Sequence, residues 1–277
     1  LTAADVARVE DGEAAVDLDQ PPGDIVILSA ADTELTLLAA AAAGRAGNTP
    51  SVRVANLGRL AHPLSVDLYL DKTVAGARVV VVRMMGGAGY WSYGLERLRA
   101  MARSGGPLLL VMPGEDRWDA SLEAYATAPA ETCRALWRYL VEGGAENARG
   151  ALAFLAHLIG RGDRPEPAVP MPHAGFYRPG VGETSLDDAV AWAAGRPVAP
   201  IVLYRAVVQG GATAPIDALV TALAAQGIAG VPVFVASLKD RESEAFLRLA
   251  FARLPPAIVL NTTSFAVSRS GAAHAGT

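Results

Sequence analysis

The sequence lacks several features on which broad functional classes depend. Its 277 residues hold a single cysteine, Cys133, which leaves no partner for an internal disulfide and is typical of a reducing compartment. It also has no basic block, because 24 basic residues are spread against 28 acidic ones for a net charge of -4. Nucleic-acid binding relies on clustered positive charge, so we expect no nucleic-acid partner.

Long apolar runs and paired metal ligands are missing as well. The longest apolar run near the start, at 35–43, is far shorter than the roughly 20 residues of a membrane helix. Acidic residues before it do not fit a secretory signal, so we expect a cytoplasmic protein with no membrane partner. No histidine pairs with another at helical spacing. The nearest group, Asp163, Glu166 and His173, is more typical of a solvated loop, and we predict no metal site.

Two catalytic signatures are absent. No G-x-x-x-x-G-K-[ST] segment is present to cradle the phosphates of ATP. No serine lies in a G-x-S-x-G elbow, which is the geometry of many hydrolase nucleophiles. We therefore predict no catalytic residue and no bound cofactor in these 277 residues.

What the sequence does contain is an alternation of apolar runs and helical patterns, in a chain that is 52% hydrophobic. Continuous apolar strands separated by helices predict a parallel sheet covered on both faces. In the first half the runs lie at 24–30, 52–57, 78–85 and 107–114, and after residue 200 they lie at 200–208, 231–237 and 257–263.

A proline-rich stretch separates the two series. Residues 161–200 hold seven of the 18 prolines, each of which removes a backbone donor and restricts its neighbour. We predict an extended connection here, packed on the surface through Phe176 and Tyr177, with a short helix at about 186–194.

The expected fold is therefore α/β, with mostly parallel sheets flanked by helices in two Rossmann- or flavodoxin-like lobes. Three strands are few for a sheet, so the second lobe is expected to be incomplete and the chain to be a piece of a longer protein. The domain prediction is a first lobe, a Pro-rich connecting arm and the start of a second lobe, at 1–160, 161–199 and 200–277.

A glycine turn follows the third apolar run, in the stretch VRMMGGAGYWSYGLERL at 82–98. Its G-x-G-x-x-S at 87–92 imitates the dinucleotide fingerprint, with serine in place of the third glycine. Tyr90 and Trp91 occupy variable positions where backbone must approach a pyrophosphate, and no acidic residue follows at the usual distance. A sharp turn from strand to helix is the plainer interpretation.

The aromatic residues of this turn are candidates for ligand contact. Trp91 and Tyr93 cannot both face the core, because helical positions two apart point to different sides. At least one ring is expected to be exposed near the carboxyl ends of the strands, where open α/β sheets bind ligands. An exposed ring beside this glycine loop would suit stacking on a flat or macrocyclic partner, and the candidates are Tyr90, Trp91 and Tyr93.

A second corner lies at 204–215, YRAVVQGGATAP, where Arg205 and Gln209 stand between a strand and a helix. A helix N-terminus favours an anionic group such as a carboxylate, so both residues are candidates for substrate binding. The alternative is a capped turn in which Arg205 pairs with a nearby acid.

Taken in order, several long blocks resemble a known family, the CobN-type large subunit of aerobic cobaltochelatase, which is related to the magnesium chelatase H subunit. The resemblance is to the N-terminal part of that large subunit and covers about residues 16–268. The blocks include VDLDQPPGDIVILSAADTELTLLAAA, MMGGAGYWSYGLERL, MPHAGFYRPG, PIVLYRAVVQGGATAPIDALVTAL and VFVASLKDRESEAFLR.

The resemblance implies an enzyme, a ligase forming nitrogen–metal bonds, that inserts Co²⁺ into hydrogenobyrinic acid a,c-diamide in cobalamin (vitamin B12) biosynthesis. Co²⁺ would be the substrate metal, and ATP with Mg²⁺ would act on separate AAA+ partner subunits of the CobS and CobT type. The family's downstream H-G-x-x-E segment is absent here, so the chain alone is expected to be inactive and to contribute to corrinoid binding or subunit contacts. The alternatives are a nucleotide-dependent oxidoreductase and a non-catalytic two-lobed binding module.

Overall fold

The computed structural model describes residues 14–45, 47 and 49–263. The chain divides into two compact units, Leu1–Val169 and Pro170–Thr277, and each is described by itself. Among the residues described, none of the helices combines the length and the apolar character needed to cross a bilayer.

The first unit is built on four parallel strands in the order β2-β1-β3-β4. This is the strand order found at the start of a flavodoxin-like sheet. The chain adds β2 on one side of β1 and then adds β3 and β4 on the other side. The strands are β1 Ile25–Ser29, β2 Val52–Asn56, β3 Val79–Met84 and β4 Leu108–Pro113. The helices are α1 Asp32–Ala43, α2 Pro63–Tyr69, α3 Ser92–Arg103, α4 Ala130–Glu142 and α5 Gly144–Leu158.

Helices cover both faces of this sheet, which is why its strands read as unbroken apolar runs. Successive side chains of a strand point to opposite faces, so β3 contributes to two cores. Val80 and Val82 pack in the core with Leu95 and Leu98 of α3. The opposite face of β3, with Val79 and Val81, packs in a second core with α1, α4 and α5. The predicted α/β class with a parallel sheet flanked by helices is confirmed.

The second unit holds a mixed sheet in the order β6-β5-β8-β7-β9. Strands β7, β8 and β9 are parallel, whereas β5 runs antiparallel to both β8 and β6. The strands are β5 Ala174–Arg178, β6 Gly182–Thr184, β7 Val198–Tyr204, β8 Ala229–Val235 and β9 Leu260–Asn261. The helices are α6 Leu186–Ala193, α7 Arg205–Gln209, α8 Ala214–Ala225 and α9 Arg241–Arg253.

The structure corrects the prediction of a simple extended arm. Residues 161–173 hold neither helix nor strand, and helix α6 confirms the predicted short helix, but the hairpin β5–β6 lies between them. Phe176 and Tyr177 are core residues, 1% and 7% exposed, rather than surface contacts. The prolines flank β5 without interrupting it, so its apolar residues can pair with β8. The hairpin brings the described sheet to five strands, where the sequence indicated three.

Candidate functional site

The glycine turn lies at the carboxyl edge of the first sheet. Gly86 and Gly87 follow β3 with φ of 77° and 78°, a left-handed conformation that side-chain-bearing residues rarely adopt. A Cβ at either position would meet no atom of the described residues within 4 Å, so the backbone conformation and not crowding requires glycine. A 3₁₀ turn, Ala88–Trp91, then leads into α3. The loop is therefore an open corner between a central strand and its helix.

This corner does not occupy the position of a dinucleotide-binding loop. That loop follows the first strand of its sheet, whereas the glycine turn follows the third strand along the chain. The connection from β1 to α1 consists of Ala30 and Ala31 and contains no glycine. The geometry gives the oxidoreductase alternative no support.

Trp91 is placed in the core, and this corrects its prediction as a stacking surface. Its side chain is only 5% exposed, and its indole Nε1 donates a hydrogen bond to the Leu60 carbonyl at 2.8 Å. A Cβ at Gly94 would lie 2.2 Å from two indole carbons, so the ring lies directly against that glycine on α3. The indole holds α3 to the 3₁₀ turn that ends at Leu60.

The two tyrosines of the turn are exposed, as the helical spacing requires for at least one ring. Tyr93 is 40% exposed, and its hydroxyl donates to the Asp67 carboxylate, whose oxygens lie 2.9 and 3.0 Å away. This hydrogen bond raises the pKa of Tyr93 above its usual value. Tyr90 is 60% exposed. Tyr90 therefore offers the largest accessible ring of the three aromatic residues.

A cavity of about 320 Å³ opens between the glycine turn and the loop that follows β4. Ligand pockets usually measure roughly 300–1,000 Å³, so this cavity suits a side chain or one edge of a large ligand. Its lining combines backbone of the turn with charged and aromatic side chains, and includes Gly86, Gly87, Glu115, Arg117, Trp118 and Asp119.

The aromatic wall of the cavity is held rigidly. Trp118 donates from Nε1 to a Glu123 carboxylate oxygen at 3.0 Å, and its ring packs edge-on against Trp137 with centroids 5.5 Å apart. The Arg134 guanidinium lies 4.8 Å from the Trp118 ring centroid and binds the same Glu123 carboxylate at 3.0 Å. The hydrogen bonds to Glu123 lower the pKa of its carboxyl group, which favours its charged form.

A buried ion pair at this edge of the sheet was missed by the sequence reasoning. Arg83, the fifth residue of β3, is 3% exposed, and its Nη2 lies 2.9 Å from Glu34 Oε2 in the first turn of α1. Nη2 also donates to the Gly114 carbonyl at 3.2 Å, after β4. The pair thus ties α1 to the β4 loop. The signal in the sequence was an arginine at the end of four valines, where a charge needs a partner.

The ion pair is incompletely satisfied. Within the part of the chain that the structure describes, Arg83 Nε, Arg83 Nη1 and Glu34 Oε1 are buried without a hydrogen-bond partner. Burial lowers the pKa of Arg83, and the Glu34 charge and hydrogen bond act in the opposite direction. Buried polar groups without partners cost folding free energy.

The second predicted corner binds backbone carbonyls of its own unit. Arg205 opens the short helix α7, and its Nε and Nη2 donate to the carbonyls of Pro172 and Met171, each at 3.0 Å. Its guanidinium therefore anchors the segment that enters β5. Gln209 ends the same helix. Arg205 and Gln209 belong to the second unit, whereas Tyr90, Trp91 and Tyr93 belong to the first.

A parallel sheet with helices on both faces defines the first unit as an α/β fold, and the open glycine turn and polar cavity at its carboxyl edge are its candidate ligand site. The model of the CobN/Magnesium Chelatase family matches residues 137–277, slightly more than half of the sequence. The chain belongs to this family, and the resemblance seen in its sequence blocks is confirmed.

Individual relatives agree with this assignment. The chain is 42% identical over 281 residues to an aerobic cobaltochelatase CobN protein from Sinorhizobium sp, a match covering 98% of this chain and 22% of that protein. It is 39% identical over 253 residues to the CobN protein of Pseudomonas aeruginosa, covering 91% and 20%. Over 189 residues it is 25% identical to the magnesium chelatase H protein of Rhodobacter capsulatus, covering 65% and 15%.

A solved structure, the catalytic subunit of cobaltochelatase from Mycobacterium tuberculosis, is similar with a TM-score of 0.64 and 30% identity. The similarity covers 83% of this chain and 17% of that one. The chain therefore spans about a fifth of the length of the relatives that it matches.

Proposed function

We propose that this chain is the N-terminal part of the large subunit of a cobalt-inserting chelatase, and that it contributes to corrinoid binding or to subunit contacts. The observation that carries the proposal is the 42% identity to a CobN protein across nearly the whole chain. The assembled enzyme would insert Co²⁺ into hydrogenobyrinic acid a,c-diamide in the cytoplasm, as a ligase forming nitrogen–metal bonds. This chain alone would be inactive.

The proposed division of labour assigns ATP to other subunits. No P-loop is present in these residues, so ATP and Mg²⁺ would be handled by AAA+ partners of the CobS and CobT type. This chain would contribute to recognition of the corrinoid. A macrocycle with carboxylate and amide side chains needs flat apolar contacts and a few fixed polar groups.

The carboxyl edge of the first sheet is the best candidate for the corrinoid contact. Tyr90 presents an exposed ring beside the open glycine turn. Arg117 lines the cavity, and an arginine fork can bind a carboxylate through two hydrogen bonds. The cavity volume suits one peripheral side chain of the macrocycle and not the ring itself. We therefore propose that the ring lies across Tyr90 while a side chain enters the cavity.

Titration of the purified chain with hydrogenobyrinic acid a,c-diamide, followed by corrinoid absorbance and tryptophan fluorescence, tests this proposal. Tyr90→Ala is expected to weaken binding by about 1–3 kcal/mol, the range seen when a stacked aromatic is removed, or about 5- to 150-fold. Tyr90→Phe keeps the ring face and is expected to bind like the parent chain.

The same titration with NADPH tests the oxidoreductase alternative. Nicotinamide binding without corrinoid binding would overturn the proposal. Corrinoid binding that is equal in the Tyr90→Ala and parent chains would move the contact away from the glycine turn. Binding of an unrelated flat ligand with the same affinity as the corrinoid would favour a general binding module.

A further inference from the structure

The second unit brings together three potential metal ligands, one of which lies far in the sequence from the other two. We propose that His173, Asp240 and Glu242 form a site for a first-row divalent ion such as Co²⁺ or Zn²⁺. The site goes beyond the proposed function, which requires no ion bound by this chain. His173 belongs to the group noted in the sequence, but its partners come from the start of α9 and not from Asp163 and Glu166.

The distances from the imidazole to the two carboxylates are close to those of a coordination sphere. His173 Nδ1 lies 3.7 Å from an Asp240 carboxylate oxygen and 3.7 Å from a Glu242 carboxylate oxygen. All three ligand atoms lie within 4.8 Å of one another. Ligands at about 2.0–2.2 Å from a tetrahedral metal stand about 3.4 Å apart, so shifts of a few tenths of an ångström would bring the imidazole to that geometry.

Two of the three ligands are anchored through their neighbours. The His173 carbonyl accepts a hydrogen bond from the Ala236 amide at 2.6 Å, which fixes the start of β5 against the end of β8. Asp240 caps α9, and its Oδ2 accepts from the Ser243 amide at 3.0 Å and from the Ser243 hydroxyl at 2.9 Å. Ser243 is fully buried, so it holds the capping carboxylate in place. Glu242 lies in the first turn of the same helix.

The donor set favours a transition metal over Mg²⁺ or Ca²⁺. One imidazole with two carboxylates suits Zn²⁺, Co²⁺ or Fe²⁺, whereas Mg²⁺ and Ca²⁺ prefer oxygen ligands alone. Two anionic ligands also compensate for the charge of the metal.

The position also limits the affinity. The N-terminus of α9 stabilises the two carboxylates as anions but opposes a cation. His173 and Glu242 are 61% and 77% exposed at their side chains, so solvent keeps access to the ion. We therefore expect reversible binding, weaker than that of a closed structural zinc site. The competing explanation of the cluster, the ion-pair explanation, is that His173 pairs directly with both carboxylates and no metal lies between them.

Titration of the chelator-treated chain with CoCl₂ and with ZnCl₂ separates the two explanations. Calorimetry is expected to show one equivalent of either metal bound, with visible Co²⁺ absorption bands that grow in parallel. His173→Ala and Glu242→Gln are each expected to lower the affinity about tenfold or more, since loss of an outer partner already costs about 10–100-fold. Asp240 is left intact because its loss would also uncap α9.

Glu244→Gln is the matched control, because Glu244 lies in the same turn of α9 but pairs with Arg248 at 2.8 Å. This variant is expected to bind both metals like the parent chain. Absence of Co²⁺ binding by the folded parent chain, or equal binding by His173→Ala, would overturn the proposal and leave the ion-pair explanation. Corrinoid binding does not enter this assay, so its result is independent of the proposed function.

Discussion

Removing one partner of the buried Arg83–Glu34 pair is expected to be among the most destabilising single changes in the first unit. The two side chains are 4% and 13% exposed, so Glu34→Gln would leave a guanidinium buried without its counter-charge. Breaking a buried pair in this way typically costs about 3–5 kcal/mol. Arg83 Nε and Nη1 already lack hydrogen-bond partners among the described residues, so few groups nearby can compensate for the lost Glu34 charge.

The paired replacement Arg83→Met with Glu34→Leu is expected to cost much less than the sum of the single changes. The desolvation of both charges is then avoided, and apolar side chains of similar volume fill the space. Urea unfolding followed by tryptophan fluorescence measures both effects, because Trp91, Trp118 and Trp137 all lie in the first unit.

The pair Glu96–Arg99 on α3 supplies a control within the first unit. The Glu96 side chain is 59% exposed, so Glu96→Gln is expected to change the free energy of unfolding by at most about 0.5 kcal/mol. A cost below about 1 kcal/mol for Glu34→Gln would refute the reasoning, because it would mean that the buried pair is already screened as a surface pair is.

Two other predictions concern packing and titration. Gly94→Ala is expected to destabilise the chain by about 1–2 kcal/mol in the same urea assay, since displacing the Trp91 ring costs more than the gain in helix propensity. Gly89→Ala, which meets no atom within 4 Å, is expected to be tolerated, and equal effects of the two changes would contradict the packing argument. Burial raises the pKa of Cys133 to about 11, so the thiol is expected to react with Ellman's reagent at pH 8 far more slowly in the folded chain than in urea. Because this pKa is higher in the folded state, the contribution of Cys133 to stability is expected to fall as the pH rises above 9.0, the ordinary pKa of a cysteine thiol. Fast labelling of the folded chain by Ellman's reagent would contradict the burial of Cys133.

Local patterns in the sequence were sufficient for the architecture of the first unit. The valines at 79–82 predicted a strand buried on both faces, and the structure shows all four fully buried. The spacing of Trp91 and Tyr93 required different environments for them, but which ring faces inward depends on Gly94 and the Leu60 carbonyl. Both are contacts of the folded chain, and the helical spacing of residues 91–93 does not reveal them.

The remaining differences also come from long-range contacts. Proline content suggested an arm around Phe176 and Tyr177, yet pairing with β8, formed much later in the chain, makes a strand there. The sequence grouped His173 with Asp163 and Glu166, which are near it along the chain. Its neighbours in space are Asp240 and Glu242. The Arg83–Glu34 pair likewise joins two elements separated by a strand and a helix.

The order of the helices that cover the first sheet determines which apolar surface is exposed while the chain is being synthesised. β4 completes the sheet at Pro113, but Val79 and Val81 of its neighbour face the core that contains α4 and α5, and α5 ends only at Leu158. A growing chain therefore passes through a stage at which every strand of this sheet exists while one apolar face still lacks two of its helices. During synthesis this face is the part of the first unit that most needs protection from aggregation, and α5 ends that exposure.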